Sequence, residues 1–385
     1  IRHGIFEFKT TQKTYTQHYI EKAGSNTENK AGVNCFFKDR YSNIWIGSTG
    51  YGLFLVPKVR NPFHTLRQQH TPTRFLSQVG DVIINKYETT NKLNMMTMKS
   101  VRCLYADNDY IWFGGYPGLN KLNRITNKIT ILDSTHIIYC IKPDPTDPNK
   151  LWIGCEEPLN SLYSLSKKSN QLNQQTLLTG YVFSLLCDSA NSIWLGIANG
   201  LIHYNPQSKK AKYYKNQGLS SNQLPPGDIK SLLKDSQGIL WIGTSVGKLV
   251  SFNPKTETFT YHPNAKDPEV TFAKDYILCM YEQNQYLWVG TGSGLYKYNR
   301  TNKELSIYTT ENGFPNNVIY SILPDERGNF WLSTNKGICC FNPNEVSCTN
   351  YDITYGLQAN EFNTSAYFSS ANNELFMGGV NGFTW

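Results

Sequence analysis

The chain of 385 residues contains no apolar run near the ~18–20 residues that a membrane helix needs. No signal-peptide pattern is visible. Charged residues are scarce at 17%, too few for a coiled coil or a long charged bundle. No segment of about 10–12 residues keeps a 3.6-residue apolar period, which excludes a helical solenoid. Nine cysteines are present without one Cys-x-x-Cys pair, so zinc and thioredoxin-like readings are poor. The seven histidines show no His-x-x-x-His or Glu-x-x-His grouping. No metal site and no cofactor are expected. What the chain does have is aromatic mass, with 25 Tyr, 19 Phe and 8 Trp, enough for a large core and incompatible with disorder. Glycine (29) and proline (17) are spread as punctuation and form no low-complexity tract. A net charge of +8 is compatible with an anionic ligand without demanding one, and binding driven by it would weaken with salt. The chain opens on Ile1 instead of Met, and a processed protein or an excised fragment is the expectation.

The organisation is an internal repeat. Apolar–Trp–apolar–Gly recurs as Ile44-Trp45-Ile46-Gly47, Ile111-Trp112-Phe113-Gly114, Leu151-Trp152-Ile153-Gly154, Ile193-Trp194-Leu195-Gly196, Leu240-Trp241-Ile242-Gly243 and Leu287-Trp288-Val289-Gly290. Two degenerate copies follow, Phe330-Trp331-Leu332-Ser333 and Leu375-Phe376-Met377-Gly378. Seven of the eight Trp residues occupy this slot, at spacings of 67, 40, 42, 47, 47, 43 and 45 residues when Phe376 stands for the last. One unit reads strand by strand. Residues 229–234 alternate, 235–238 turn, 239–244 form an apolar strand around Trp241, 249–252 a third strand and 258–262 a fourth. A second Gly, four residues after the first in most copies (Gly118, Gly200, Gly247, Gly294, Gly382), suits a tight turn with positive φ. The Trp152 unit has Pro158-Leu159-Asn160 there, so its loop is expected to differ.

Four short strands per ~40–50 residues is the pattern of a β-propeller blade. The fold class is therefore all-β, a propeller of four-stranded antiparallel blades. The buried second strand would carry a Trp that fills the space between neighbouring blades. A parallel β-helix fits less well because its coils are shorter. Natural closure pairs residues 62–67 with the last unit as its fourth strand and gives seven blades. Residues 1–60 are then the remnant of a preceding propeller, and 61–385 the ring. An eight-bladed ring including the Trp45 unit is the alternative. Residues 73–98 read as an insertion, of the kind that maps to a functional loop.

The repeat consensus, "I-x-x-I-x-x-D-x-x-G-x-L-W-I-G-T-x-x-G-L-x-x-Y-N-P", resembles the propeller repeats of periplasmic sensor regions in Bacteroidetes-type hybrid two-component regulators. Residues 228–261, 276–308 and 318–342 carry the resemblance most closely. The joints Gly218-Leu219-Ser220-Ser221-Asn222, Asn312-Gly313-Phe314-Pro315-Asn316-Asn317 and Tyr355-Gly356-Leu357-Gln358-Ala359-Asn360 fit as well. Residues 374–383 look like the family's last blade and 57–66 like the junction between its two propellers. The resemblance implies a periplasmic sensor that binds oligosaccharides from polysaccharide breakdown and passes the signal to a kinase. The sandwich, membrane helix, kinase and DNA-binding regions are absent from this chain, so that output is implied only for a longer parent.

Several chemical readings compete with ligand capture. Cys35, Cys103, Cys140, Cys187 and Cys279 fall in innermost strands and read as buried free thiols. Cys339-Cys340 cannot bridge each other without strain, and a bridge from either to Cys348 is the less favoured reading. The odd thiol count argues weakly against an oxidising compartment. The oxygen-rich stretch Asp144-Pro145-Thr146-Asp147-Pro148-Asn149 reads as a capped turn before a Ca²⁺ loop. Asp235-Ser236-Gln237-Gly238 and Asp325-Glu326-Arg327-Gly328 resemble the Asp-box turns of sialidase propellers, which are structural. A glycosidase needs two facing carboxyls, and only Asp228, Asp275 and Glu361 stand near inner-strand entrances. A lyase would need a central His, for which His136 is the one candidate. Residues 209–215, Lys209-Lys210-Ala211-Lys212-Tyr213-Tyr214-Lys215, mix basic and aromatic side chains, but a solvated outer edge is favoured over nucleic-acid binding.

Propeller ligands bind where the loops entering the innermost strands converge. The residues at those entrances are Arg102, Tyr139, Tyr181, Asp228, Lys230, Tyr276, Tyr320 and Asn363. Aromatics there would stack on sugar faces, and Arg or Lys would pair with carboxylate or sulfate. The expected activity is non-catalytic binding of an oligosaccharide, neutral or anionic, with membrane attachment only through parent segments and a homodimer as one expected state. A propeller scaffold for protein interaction, without a ligand of its own, is the alternative.

Overall fold

The computed structural model describes residues 63–67, 100–157, 161–175, 180–215, 223–262, 272 and 275–385, together with the backbone of strands Ile5–Lys9, Thr14–His18, Val33–Lys38, Ile44–Ser48, Gly52–Val56, Phe75–Val79 and Val82–Lys86. The chain forms two units, residues 1–64 with 69–92, and residues 65–68 with 93–385. In the first unit Val33–Lys38, Ile44–Ser48 and Gly52–Val56 make a three-stranded sheet around the first signature copy. Phe75–Val79 pairs with Val82–Lys86 inside the expected insertion.

The second unit is a seven-bladed all-β propeller. Its four-stranded sheets span 100–133, 138–174, 182–215, 229–261, 277–308, 323–351 and 362–384, the last completed by Thr65–Arg67. The closure expected from sequence is present. Thr65–Arg67 runs antiparallel to Gly382–Thr384, with Leu66 opposite Phe383, and Thr65 Oγ1 donates to the Gly356 carbonyl at 2.6 Å. In the Trp152 unit, strands Lys150–Cys155 and Leu162–Ser166 are joined by residues 156–161, longer than the tight turns elsewhere. Residues 158–160 lie outside the described set.

The second strand of each blade is apolar because neighbouring blades cover both its faces; every residue of Leu240–Thr244 is buried. The signature Trp packs forward onto the next blade. Trp194 meets Ile229, Leu240 and Phe252, and Trp241 meets Ile277, Leu287 and Tyr298. Burying a ring of this size is the largest single apolar contribution a blade makes. Its indole N–H still needs an acceptor. Trp152 donates to Asp144 Oδ2 at 2.9 Å, Trp241 to Asp235 Oδ2 at 2.8 Å and Trp331 to Asp325 Oδ2 at 3.2 Å. The other oxygen of each carboxylate holds its turn, as Asp144 Oδ1 does by accepting from the Thr146 and Asp147 N–H groups. The stretch 144–149 is thus a turn locked to a core Trp.

The signature Gly has a different purpose. A Cβ on Gly243 would lie 2.3 Å from Ser231 Oγ of its own blade and 2.4 Å from Ile277 Cγ2 of the next. Gly114, Gly154, Gly196 and Gly290 meet equivalent pairs. The inner-strand residue facing each glycine is small: Cys103, Cys140, Ser184, Ser231 or Cys279. Its hydroxyl or thiol donates to the carbonyl of the β-branched residue that opens the next blade. Ser184 reaches Ile229 O at 3.0 Å, Ser231 reaches Ile277 O at 3.2 Å, and Cys103, Cys140 and Cys279 reach Ile138, Val182 and Ile319 at 3.8, 3.9 and 3.6 Å. In blade six Ser333 replaces the glycine and shares a 2.8 Å hydrogen bond with Ser321. In blade seven Ala366 has no donor, and Asn363 Nδ2 donates to Val101 O at 2.9 Å in its stead.

This explains three of the five inner-strand cysteines and corrects two. Cys103, Cys140 and Cys279 are buried in the seam position, but Cys35 is exposed and Cys187 only half-buried. Cys187 pairs with Ile193, three residues beyond the seam position that Ser184 holds in its strand. Cys339 and Cys348 are free thiols, and Cys348 Sγ donates to Asn312 O at 3.7 Å.

Gly243→Ala forces a methyl into a space bounded by Ser231 and Ile277, and overpacking of this kind costs about 1–3 kcal/mol. A denaturant melt of this variant is expected to show that loss. An unchanged midpoint would remove the steric account of the signature glycine.

Candidate functional site

The small seam residue also decides what the channel sees. In the first five blades the pairing of inner and second strands skips the residue just before it. Cys140 faces Gly154 and Ile138 faces Cys155, with Tyr139 left out. Phe183, Lys230 and Leu278 are skipped in the same way, and so is Arg102 between Val101 and Cys103. Each skip is a β-bulge, which re-aims one side chain out of the ladder. In blade six Tyr320 immediately precedes the seam Ser321. In blade seven the irregularity widens to the residues between Phe362 and Tyr367, and Ser365 there takes a left-handed φ of 62°. All seven residues preceding the seam position, Arg102, Tyr139, Phe183, Lys230, Leu278, Tyr320 and Ser365, line one cavity of about 390 Å³ at the hub. Tyr116, Tyr276, Gly292, Val318 and Thr364 complete its wall. A smaller void of about 50 Å³, lined among others by Lys142, Ser184, Ser231 and Tyr367, shares Phe183, Lys230, Leu278 and Ser365 with it.

The hydrogen bonds in this wall have a fixed direction. Tyr139 donates its hydroxyl proton to the Glu156 carboxylate. The 2.8 Å contact between the Tyr139 and Tyr116 hydroxyls must then be donated by Tyr116. Burial and the Glu156 carboxylate push the Tyr139 phenol far above its ordinary pKa, so it stays protonated. Both phenols therefore offer the cavity acceptor oxygens only. Tyr320 donates to Asn335 Oδ1 at 2.8 Å. The charged donors are the two cations. Lys230 is 3.1 Å from Asp228 Oδ2 and sits over the Phe183 ring at 3.3 Å. Arg102 sits over the Tyr116 ring at 4.8 Å, and its buried Nε has no hydrogen-bond acceptor among the described residues. An exposed Tyr276 ring stands at the wall with 53% of its surface free.

Of the eight residues chosen from sequence, Arg102, Tyr139, Lys230, Tyr276 and Tyr320 meet in this cavity. Three do not line it. Tyr181 packs edge-on against Phe183 at 6.3 Å, Asp228 holds Lys230, and Asn363 closes the seam to blade one. Tyr116, Phe183, Leu278, Thr364 and Ser365 were missed. A single offset, the residue before the small side chain opposite the signature position, would have found three of them. His136 stands outside, held between Asp133 Oδ2 at 2.9 Å and Glu157 Oε1 at 2.6 Å.

Comparison with known proteins bears on the repeat. The family model "Two component regulator propeller" matches residues 223–245 and 313–336. The chain is similar to histidine kinase P4 of Formosa agariphila, 24% identical over 246 residues that cover 60% of this chain and 18% of the kinase. Among solved structures it resembles the extracellular domain of the hybrid two component system BT3049 from B. thetaiotaomicron, with a TM-score of 0.74 and 22% identity, over 99% of this chain and 48% of that one. It also resembles the WD40 propeller domain of Doa1, with a TM-score of 0.57 and 9% identity, over 74% of this chain and 91% of that one. Both structural likenesses are of fold. The chain spans less than half the length of the sensor proteins it matches.

A second cavity, about 750 Å³, opens between blades four and five and is larger than the hub. Its charged groups answer one another across the blade seam. Arg300 reaches Asp235 at 2.8 Å and Glu282 at 2.7 Å, and Glu282 accepts from the Ser236 N–H and hydroxyl at 2.8 Å each. That arrangement is a structural seam, so the hub is the better site. His262 lines this cavity, bonded to Ser251 Oγ at 2.7 Å and Tyr298 Oη at 3.1 Å beside the Trp241 ring. Burial, helped by Lys303, lowers its pKa to about 4. The unfolded chain takes up this proton near pH 6.5, whereas the folded one resists until about pH 4. Stability contributed by neutral His262 is therefore present above the upper value and lost as pH falls through the window, on the order of 1–3 kcal/mol. Thermal melts from pH 7 to 4 are expected to fall more steeply for the native chain than for His262→Gln. Parallel curves would refute the assignment.

Proposed function

We propose that this chain, which belongs to the two-component regulator propellers, is the ligand-sensing part of a longer signalling protein and binds an oligosaccharide at the hub of its ring. The observation that carries this reading is the composition of the hub. Four tyrosines and a phenylalanine supply ring faces, and two cations supply donors in one cavity. Aromatic faces stack on the C–H faces of sugars, and converging polar groups fix orientation. Among the described residues, the lining contains no Asp, Glu or His. A retaining or inverting glycosidase needs two carboxyl groups flanking the bond, so the lining supports capture over hydrolysis. A placement outside the cytoplasm, periplasmic in a parent with an inner-membrane kinase, accords with the extracellular domains it resembles. Residues 1–60 are read as the end of a preceding propeller in that parent.

Thermal-shift measurements against a panel of neutral and acidic oligosaccharides test this. A ligand at 100 times its Kd stabilises the native state by about 2.7 kcal/mol. At least one oligosaccharide is expected to raise the melting temperature, and Tyr276→Ala is expected to reduce the shift without lowering the unliganded melting temperature. No shift with any member of the panel would sink the reading in favour of a protein-interaction scaffold. Turnover of a panel member would replace it with an enzyme.

A further inference from the structure

We infer that the hub selects an acidic sugar, with the ligand's carboxylate or sulfate group on Arg102. The inference rests on the oligosaccharide reading above and names the class of sugar. A charge drawn partly out of water gains from a partner, because its desolvation is otherwise uncompensated, and Arg102 is half-buried with its Nε fully so. The hub's two cations differ in this respect. Lys230 has Asp228 at 3.1 Å. Arg102 has no carboxylate partner among the described residues, only the Tyr116 ring beneath it and a buried Nε without an acceptor. The wall beside it repeats the message. Tyr116 and Tyr139 present acceptor oxygens, because the Tyr139 hydroxyl donates to Glu156 and the Tyr116 hydroxyl donates to Tyr139. A neutral hydroxyl could serve those acceptors, but a carboxylate or sulfate cannot, so an anionic group is directed to Arg102.

Blade seven adjoins blade one, and its widened bulge puts Thr364 and Ser365 in the same cavity as Arg102. Their hydroxyls add neutral donors at that end. Ser365 holds a left-handed φ of 62°, a conformation that L-residues seldom adopt. Strain of this kind tends to be kept at binding sites. A guanidinium binds a carboxylate or sulfate through parallel N–H bonds, with geometric specificity an ammonium lacks.

The test uses the 385-residue chain and calorimetry with matched probes: a galacturonic acid disaccharide and its carboxyl-reduced counterpart, and an unsaturated chondroitin disaccharide with and without sulfate. In at least one pair the member that carries the additional carboxylate or sulfate is expected to bind about tenfold or more tighter, the scale of one charge-assisted hydrogen bond. The first pair reports carboxylate selection and the second sulfate. That preference should shrink with added salt. It should vanish in Arg102→Gln, survive in part in Arg102→Lys and persist in Lys230→Gln. Equal affinity within both pairs, or neutral oligosaccharides that raise the melting temperature while no acidic one does, overturns the inference and leaves oligosaccharide binding standing. Binding of no sugar overturns both. Should the Arg102 variants fail to fold, the ratio within each pair for the native chain still decides.

Discussion

The ring depends on how closely one blade's second strand can approach the next blade's first. Where the signature glycine stands in the ring, a methyl group would sit 2.2–2.9 Å from atoms of both inner strands. Absence of that one carbon brings the two sheets into contact. The small residue opposite then reaches across with a hydroxyl or thiol and satisfies the first carbonyl of the neighbouring blade. Such a carbonyl, buried at the start of a strand whose register is about to break, would otherwise go unpaired at a cost of about 1–3 kcal/mol. Serine does this at 3.0–3.2 Å and cysteine at 3.6–3.9 Å, which is the difference expected between oxygen and sulfur donors. Cysteine is common here because a small donor of low polarity suits the position.

The same constraint builds the hub. Alternation along a strand sends successive side chains to opposite faces. If the seam residue faces the neighbouring blade, the residue before it cannot, and the bulge turns it to the channel. Each blade thus offers at least the residue before its seam position to the cavity, so the hub is assembled from points far apart in sequence. Rings locked by interblade hydrogen bonds hold those points before any ligand arrives, and preorganisation reduces what binding must spend on ordering side chains.

Much of this was legible in the sequence. Trp241 and its equivalents marked the second strand, and pairing residues 62–67 with the chain's last three strands favoured seven blades over an eight-bladed ring. The hub was legible in part. Arg102, Tyr139, Lys230 and Tyr320 were found because they lie early in inner strands and have ligand-like chemistry. Phe183 and Leu278 were passed over because apolar residues in a strand read as core. Tyr181 and Asp228 were chosen because strand entrances were treated as one zone, when a shift of one residue separates the cavity from its flank. Asn363 could not have been read correctly, since its role exists only because Ala366 lacks the donor that serine or cysteine supplies elsewhere. The wide bulge around Ser365 has no local signature at all; nothing in Asn363-Thr364-Ser365-Ala366 announces a left-handed residue.

Separation of the two roles by one position has a consequence for recognition. The residue that fixes the blade and the residue that faces the ligand are neighbours in the chain but share no task. A bulged residue makes no ladder hydrogen bond with its side of the sheet, and its side chain ends in a cavity, so exchanging it leaves the seam untouched. Arg, Tyr, Phe, Lys, Leu, Tyr and Ser occupy these seven positions around one ring, a spread of size and charge that no packing requirement would tolerate at the seam. There the choices narrow to Cys, Ser and Ala. The hub positions are therefore freer of packing demands than the seam, and on the proposed reading their chemistry answers to recognition, with Arg102, which has no counter-ion among the described residues, as the position that reading turns on.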